Sequence, residues 1–462
     1  MDPAHGLAEG VAALGVEGLA PATLAAARRL VADSVAVALA GMGCRDAATI
    51  IALAGEWGGK SESSVIGTRL RVPAPVAALA NGTLIQALDY DDTDDASAAH
   101  VASTVLAAAL ALGEARAAAG GELLAAIVAG AEVTARIGRA CEENLGFTST
   151  SLYGAFGAAA AAARILGLSP EATRQAFGIV LSQAAGSTQT ALDWPLSKHM
   201  QSGFAAHAGV LSALLAERGI SGVENVFEGR YGFFNLYKGG RYRREPLLAP
   251  WQAPFAIESL SLKPYPSCRA THGPIEACEE IAAAPGFLAA EVAAVQVAVP
   301  PMAFTLAGQP PRAGRDPIVA AQFSIAHNVA AALVERRLTL ASYRADRLAD
   351  PGIAALRARV TVVAAGKGDF TPASVRVVMR DGKIFERTVG SLRGTRQRPL
   401  DDATLLDKIR DCLAFAPAPG LDAEALWDEV QQLQSTDVRS FVARLGHDAV
   451  ARDDHIRAEE HA

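Results

Sequence analysis

The spacing of apolar residues changes once along this chain of 462 residues, near residue 260, and the change restricts the folds that are possible. Before that point, Ala- and Leu-rich runs bounded by Gly or Pro follow one another with helical spacing. After it, apolar and polar residues alternate with the period of two that is typical of strands. The helices predicted before the change cover residues 22–41, 47–57, 75–88, 104–118, 122–139, 151–166, 170–184 and 203–218.

The second region mixes both patterns. Strands are predicted at 293–299, 358–363, 374–380 and 383–389, and Asp381-Gly382 between the last two is a hairpin turn signal. Helices are predicted at 273–284 and 322–334, and again at 403–414, 423–433 and 438–445. We therefore expect a mainly α protein: an all-helical domain of residues 1–256, onto which helices within 400–450 pack back, and a smaller α+β lid domain of residues 261–395.

An acidic cluster follows the predicted helix 75–88. Segment 89–95 reads Asp-Tyr-Asp-Asp-Thr-Asp-Asp, and His100 comes five residues later. Carboxylates this close repel one another, so their pKa values should spread apart, which suits acid/base catalysis. A solvated helix end or a divalent-cation loop would explain the same residues. Asp89 ends the apolar run and should be the least solvated carboxylate, whereas Asp94 and Asp95 are expected in water.

Two basic segments are the other candidates for chemistry. Segment 263–272, Lys-Pro-Tyr-Pro-Ser-Cys-Arg-Ala-Thr-His, places cations just before a predicted helix, an arrangement that favours anion binding. An inter-domain linker with ordinary surface charges is the alternative. Lys198 and His199 lie just ahead of the helix predicted at 203–218, where a basic helix start is the simpler interpretation.

Composition and missing motifs argue against several classes of binding partner, metal site and cofactor site. The net charge of −7 argues against nucleic acid as a partner. Five scattered cysteines without a C-x-x-C pair give little support to a zinc, disulfide or iron–sulfur site, and neither a phosphate-binding loop nor a dinucleotide fingerprint is present. Catalysis should thus rely on side chains, with no cofactor and no resident metal, and a loosely held cation is the alternative left open. Without a secretion signal or an apolar run long enough to span a bilayer, the expected compartment is the cytoplasm, with no membrane partner.

Five motifs in one order resemble a known family. They are L-D-Y-D-D-T at 88–93, Y-G-A-F-G-A-A-A at 153–160, K-x-M-x-x-G at 198–203, F-E-G at 227–229, and K-x-Y-P at 263–266 leading to Thr271-His272. Together they resemble the MmgE/PrpD family, which includes 2-methylcitrate dehydratase, cis-aconitate decarboxylase and iminodisuccinate epimerase. The resemblance runs from about residue 25 to residue 392. It implies a large all-α domain, a smaller α+β lid domain and a homodimer.

The resemblance also implies roles for individual residues. The catalytic candidates that it gives are Asp89, His100, Lys198 and Lys263. The candidates for binding the substrate are Thr93, Arg269, His272, His327 and Thr148. Three of these positions depart from the family pattern. Thr148 replaces the histidine of G-[FWY]-H-x-T, His327 stands where F-S-x-x-Y has tyrosine, and His100 is followed by valine where the family has proline.

The sequence thus predicts a cofactor-free lyase or isomerase that removes a proton next to a carboxylate of a small di- or tricarboxylate. Lys263 and Arg269 are expected to neutralise that carboxylate, and His100 or Asp89 to protonate the leaving group. A 2-methylcitrate dehydratase-like hydro-lyase is the first interpretation; an epimerase of the iminodisuccinate type or a decarboxylase of the cis-aconitate type is the alternative. A non-catalytic carboxylate-binding homologue and a metal-dependent hydrolase, with Asp89, Asp91, Asp92 and Asp95 as ligands, stay open.

Overall fold

The computed structural model describes residues 1–143, 145–310, 315–417 and 421–446. Helices and one two-stranded ribbon make up the chain as far as residue 248. In order they are α1 (Ala4–Ala13), α2 (Pro21–Gly41), α3 (Arg45–Trp57), β1 (Ser63–Ser64), β2 (Arg71–Val72), α4 (Ala74–Gln86), α5 (Ala102–Arg116), α6 (Gly120–Ala140), α7 (Ser149–Ile165), α8 (Pro170–Val180), α9 (Gln189–Asp193), α10 (Ser197–Glu217), α11 (Phe233–Lys238) and α12 (Glu245–Leu248).

Strands enter after residue 290. The elements of this α+β region are α13 (His272–Ala282), β3 (Val292–Val299), α14 (Pro301–Ala307), α15 (Pro317–Gln322), α16 (Ile325–Glu335), α17 (Ala345–Leu348), α18 (Pro351–Arg357), β4 (Val360–Ala364), β5 (Ala373–Met379) and β6 (Ile384–Val389). The strand order is β4-β3-β5-β6, with β3 and β4 parallel and the other neighbours antiparallel. The predicted hairpin joins β5 to β6, and its Gly382 has the positive φ of 85° that such a turn uses.

The chain then returns to helix in α19 (Asp402–Phe415), α20 (Ala423–Gln431) and α21 (Val438–Leu445). Side chains of α19 to α21 belong to the same apolar core as the helices before residue 250, and α19 packs on α2. A second apolar core is built from α13, α16 and the buried face of the sheet. The mainly helical fold with a smaller α+β part is therefore confirmed.

Close packing of glycines brings α4, α5 and α10 together. A Cβ on Gly82 of α4 would lie 2.6 Å from the Ser103 carbonyl oxygen, and one on Gly203 of α10 would lie 2.3 Å from the Leu79 carbonyl oxygen. Because only glycine permits so close an approach, the end of α4 is held beside the start of α10. This contact sets the acidic segment against Lys198.

Several helix boundaries in the structure differ from the predicted ones. Helix α10 begins at Ser197, so Lys198 lies in its first turn rather than ahead of it. The helix predicted at 322–334 is wrong as one element, since α15 ends at Gln322 and α16 begins after Ser324, whose hydroxyl caps it. The division into a helical domain and a lid remains a proposal, and residues 447–450 of the predicted first domain lie outside the described residues.

Among the described residues, no single helix has the length and apolar character needed to cross a membrane. In the described part of the chain, one bent pair, Pro21–Gly41 and Arg45–Trp57 with an angle of 87° between its members, has that length and composition when its two helices are taken together.

Candidate active site

Two lysines from distant parts of the chain meet at Asp89. Lys198 Nζ lies 2.8 Å from Asp89 Oδ1, and Lys263 Nζ lies 3.4 Å from Asp89 Oδ2. Lys263 also donates to the Asp89 main-chain oxygen at 2.6 Å. Asp89 follows α4 with a left-handed φ of 51°, which turns its carboxylate toward α10. Three of the four predicted catalytic residues therefore form one buried cluster.

The charges of this cluster stabilise one another. Burial alone would raise the pKa of Asp89, but Lys198, Lys263 and His100 outweigh it and hold that pKa well below its usual value. Burial likewise opposes the charge on Lys198, yet Asp89 raises the pKa of the Lys198 ammonium. Asp89 is thus an ionised anion between two cations.

His100 is the fourth predicted catalytic residue, and contacts at one ring nitrogen orient its imidazole. Its Nδ1 lies 2.8 Å from the Asp92 main-chain oxygen and 3.2 Å from Asp91 Oδ1. Both neighbours are acceptors, so Nδ1 carries the proton and Nε2 holds the lone pair when the ring is neutral. The main-chain N–H of His100 donates to the Thr150 hydroxyl at 3.0 Å. Within the described residues, His100 Nε2 has no hydrogen-bond partner, so it is free to exchange a proton.

Asp91 and Asp92 support this imidazole. Burial raises the pKa of Asp91, but the neighbouring His100 brings the net shift below the usual value. The Asp92 carboxylate accepts from the main-chain N–H groups of Val101 and Ala102 at 3.1 and 2.8 Å, at the start of α5. Burial and the charge of Asp91 raise the pKa of Asp92 to about 8, against the pull of those N–H groups.

The expectation that Asp94 lies in water is wrong, whereas the Asp95 side chain keeps 36% of its surface exposed, in addition to its protein contacts. Asp94 is buried and accepts from the Ser97 hydroxyl at 2.7 Å. Asp95 accepts from Arg269 Nε at 3.0 Å and Nη2 at 2.9 Å, and from the Ser261 hydroxyl at 2.5 Å. The segment folds back on itself and on the 261–269 stretch, so these carboxylates find partners that a solvated helix end would lack.

Arg269 and His272 are engaged within the protein. The third guanidinium nitrogen, Arg269 Nη1, lies 3.3 Å from His272 Nδ1, and His272 Nε2 lies 3.1 Å from the Ser267 main-chain oxygen. Since a carbonyl only accepts, His272 carries its proton on Nε2 and accepts on Nδ1. Burial and the adjacent Arg269 hold the pKa of His272 well below its usual value, so the ring is neutral.

The remaining predicted binding residues are placed differently. Thr93 is buried, its main chain pairs with Ser261 at 2.8 Å in both directions, and its hydroxyl lacks a hydrogen-bond partner in the described part of the chain. Thr148 stands at the N-cap position of α7 without a side-chain capping bond, two residues before the Thr150 that binds His100, and its main-chain N–H donates to the Gly186 oxygen at 3.3 Å. His327 is buried in α16, where burial and Arg357 lower its pKa to about 4. No hydrogen bond or ion pair among the described residues joins Thr148 or His327 to the Asp89 cluster.

One set of groups has the spacing of metal ligands. Asp89, Asp91 and His100 offer three ligand atoms within 4.8 Å of one another. Two ammonium groups already bind Asp89, however, so a cation entering there would meet two positive charges at close range. The other carboxylates considered for a hydrolase, Asp92 and Asp95, are bound to α5 and to Arg269. These contacts favour the acid/base interpretation.

Similarity to known proteins agrees with the motifs. Residues 5–245 match the MmgE/PrpD N-terminal domain, and residues 265–430 match the MmgE/PrpD C-terminal domain. The chain belongs to the MmgE/PrpD family. It is 29% identical over 373 residues to cis-aconitate decarboxylase of Aspergillus terreus (strain NIH 2624 / FGSC A1156), covering 75% of this chain and 76% of that protein.

Two other relatives match over most of their length. Cis-aconitate decarboxylase-like protein oryM of Aspergillus oryzae (strain ATCC 42149 / RIB 40) is 28% identical over 408 residues, 83% of each chain. Cis-aconitate decarboxylase of Mus musculus is 25% identical over 402 residues, 83% of this chain and 81% of that one. Their names support an enzyme.

Sequence reasoning named Asp91 only as a metal ligand in the hydrolase alternative, and not as the residue that contacts the His100 ring. The only available signal was its place between Asp89 and Asp92, because the loop geometry that turns it toward residue 100 depends on contacts far along the chain. Gln322 and Lys408 were also missed: both donate to main-chain oxygens of the segment 88–90.

Proposed function

We propose that this protein is a cofactor-free lyase that decarboxylates a small tricarboxylate of the cis-aconitate type. The observation that carries the proposal is the cluster of Lys198, Lys263 and Asp89 beside the free Nε2 of His100. Asp89 offsets one of the two ammonium charges, so the three groups together keep one positive charge in a mostly buried place. Such a site favours a carboxylate ligand.

Lys198 is the cation best placed to bind substrate. Its side chain is 14% exposed, whereas that of Lys263 is 1% exposed. Arg269, expected from the sequence to neutralise the substrate, already binds Asp95 through two nitrogens. We therefore transfer the proposed carboxylate contact to Lys198, and assign Arg269 to holding segment 89–95 against the 261–272 stretch. The unpartnered Thr93 hydroxyl is a further group that suits a substrate oxygen.

The number of protons moved favours decarboxylation over dehydration. In decarboxylation the C–C bond to one carboxylate breaks, CO₂ leaves, and the electron pair remains on the substrate, where one proton must be delivered. In dehydration one group must remove a proton from carbon while another protonates the leaving hydroxyl. With threonine at 148 and both ring nitrogens of His272 engaged, His100 is the imidazole with a free nitrogen at the cluster among the described residues, and its Nε2 can deliver a single proton. The names of the relatives support the same choice.

Dehydration of a 2-methylcitrate-type hydroxy acid is the second candidate, since the Lys198 ammonium could protonate the hydroxyl. Epimerisation needs proton removal and return at one carbon, which a single imidazole also permits. A homodimer, as the family resemblance implies, is part of the proposal.

The decisive experiment is a panel of cis-aconitate, 2-methylcitrate and related polycarboxylates followed by proton NMR in D₂O, with and without a chelator. We expect loss of a carboxylate from cis-aconitate, incorporation of one deuteron, and no effect of the chelator. His100→Gln should reduce turnover at least about a hundredfold, whereas His5→Gln, at a half-buried position near the N-terminus, should not.

Other outcomes assign other functions. Water loss from the hydroxy acid would replace decarboxylation by dehydration, and deuterium exchange without net reaction would indicate an epimerase. Saturable binding of cis-aconitate with no turnover or exchange would identify a non-catalytic binding homologue and overturn the proposal.

A further inference from the structure

Side chains from three distant regions bind consecutive carbonyl groups of the segment that carries Asp89. Gln322 Nε2 donates to the Leu88 oxygen at 2.7 Å, Lys263 Nζ to the Asp89 oxygen at 2.6 Å, and Lys408 Nζ to the Tyr90 oxygen at 2.8 Å. These carbonyls lie between the end of α4 and the start of α5, so helical hydrogen bonds do not occupy them. The three donors therefore define the path of the backbone through the site.

Lys408 is the least expected of the three. It projects from α19 near the C-terminus, its side chain is 4% exposed, and its ammonium lies 4.0 Å from the centre of the Tyr90 ring. The Asp33 carboxylate of α2, which is fully buried, lies 2.6 Å from the same ammonium. Lys408 thus joins two helices of the core to the residue that separates Asp89 from Asp91.

A buried ion pair of this kind adds little to stability, because removing two charges from water offsets most of their attraction. The main consequence of this pair is orientation. Asp89 has a left-handed φ of 51°, a conformation that surrounding contacts must hold in place. A displacement of about 1 Å in such a segment is enough to cost about a hundredfold in rate.

We propose that Lys408, held by Asp33, is a positioning residue that fixes the Tyr90 carbonyl, and with it the placement of Asp89 and Asp91 toward Lys198 and His100. The proposal rests on the function proposed above and adds to it a residue that does not touch the substrate. Helix α19 then takes part in positioning the site, although it contributes no reacting group.

The test compares Lys408→Met, Asp33→Asn and the double variant, with Lys367→Met at an exposed position as the control. Each single change leaves one buried charge unpaired and should destabilise the protein. The double change removes both charges, so its melting temperature should return close to that of the wild type. Turnover of the double variant should nevertheless stay at least about tenfold low, with KM changed less than kcat, because Lys198 and Thr93 still bind the substrate.

Amide hydrogen exchange measured by mass spectrometry gives a readout that needs no activity. Peptides covering residues 86–93 should exchange faster in the double variant, while peptides of α6 and α7 should not. Wild-type turnover in the double variant, or unchanged exchange over 86–93, would overturn the positioning role. Faster exchange throughout the protein would show that the pair is structural only. If the wild type converts none of the acids, the proposed function fails, and the exchange experiment alone decides the role of Lys408.

Discussion

Replacing Asp89 by asparagine tests the charge arrangement of the site most directly. The change keeps the size of the side chain but removes the anion from between Lys198 and Lys263, which lie 2.8 and 3.4 Å from its two oxygens. Both ammonium groups would then be buried without their counter-charge. We expect loss of turnover and of stability together.

The magnitude follows from the burial of the partners. Removing one member of a buried ion pair costs about 3–5 kcal/mol in the free energy of unfolding. Lys198 keeps some contact with solvent, at 14% exposure, so we expect the lower end of that range, about 3 kcal/mol. Turnover should fall at least about a hundredfold, because the pKa of Lys198 would drop and the unbalanced lysines would move away from each other.

The direction of the Asp89 pKa shift determines how the stability difference between wild type and Asp89→Asn changes with pH. The pKa of Asp89 is lowered in the folded protein, so its ionised form contributes stability in full above its unfolded value of about 3.9. That contribution disappears as the pH falls through the lower, folded pKa. The difference in unfolding free energy between wild type and Asp89→Asn should therefore be constant from about pH 5 to pH 7 and shrink below about pH 4.

Urea unfolding followed by tryptophan fluorescence at a series of pH values measures this difference. As a control, Asp369→Asn changes an exposed carboxyl in the loop before β5 and should leave the unfolding free energy unchanged. No difference between Asp89→Asn and wild type at neutral pH, or a difference that grows toward acid, would refute the picture of an ionised Asp89 between two cations.

Three further predictions concern neighbouring groups. Asp95→Asn should lower turnover about tenfold, because Arg269 loses a charged, two-point contact; steady-state kinetics beside Asp369→Asn checks this, and equal rates would show that Arg269 does not depend on Asp95. Thr148→His returns an imidazole near the site and should raise the ratio of dehydration to decarboxylation in the NMR panel, whereas an unchanged ratio would separate position 148 from the reaction. The Asp92 pKa of about 8 lies above the unfolded value, so this group makes the protein less stable as the pH rises from about 4 to 8. Asp92→Asn should accordingly gain stability relative to wild type over that interval in urea unfolding, and a constant difference would mean that Asp92 is ionised throughout.

The sequence predicted the fold well because the periodicity of apolar residues is a local property. The shift from helical to alternating spacing near residue 260 separated the two kinds of architecture, and Asp381-Gly382 located the hairpin between β5 and β6. Helix ends were less accurate. Ser324 interrupts the apolar pattern only slightly, yet its hydroxyl starts a new helix.

The sequence predicted most of the residues of the site, but not which of them form ion pairs and hydrogen bonds with one another. Asp89 is 109 residues from Lys198 and 174 residues from Lys263 along the chain. Charge pairs between such distant positions produce no pattern in the local sequence. Asp94 was expected in water because it follows several charged residues, but burial depends on what the rest of the chain places over it. Lys408 could not be distinguished from a surface lysine, since α19 carries charged residues on both sides of it.

These pairings explain why one short segment can carry so many carboxylates. Each acid of segment 89–95 has its own partners: lysines for Asp89, an imidazole for Asp91, a helix start for Asp92, the Ser97 hydroxyl and the Arg139 guanidinium for Asp94, and the Arg269 guanidinium for Asp95. Because the partners come from different helices and from the α+β region, the segment can fold this way only when both parts of the chain are in place. The acid/base properties of His100 and Asp89 are therefore consequences of the assembled tertiary structure, and a change at a distant partner such as Asp33 or Lys408 should reach the reacting groups through the backbone that they share.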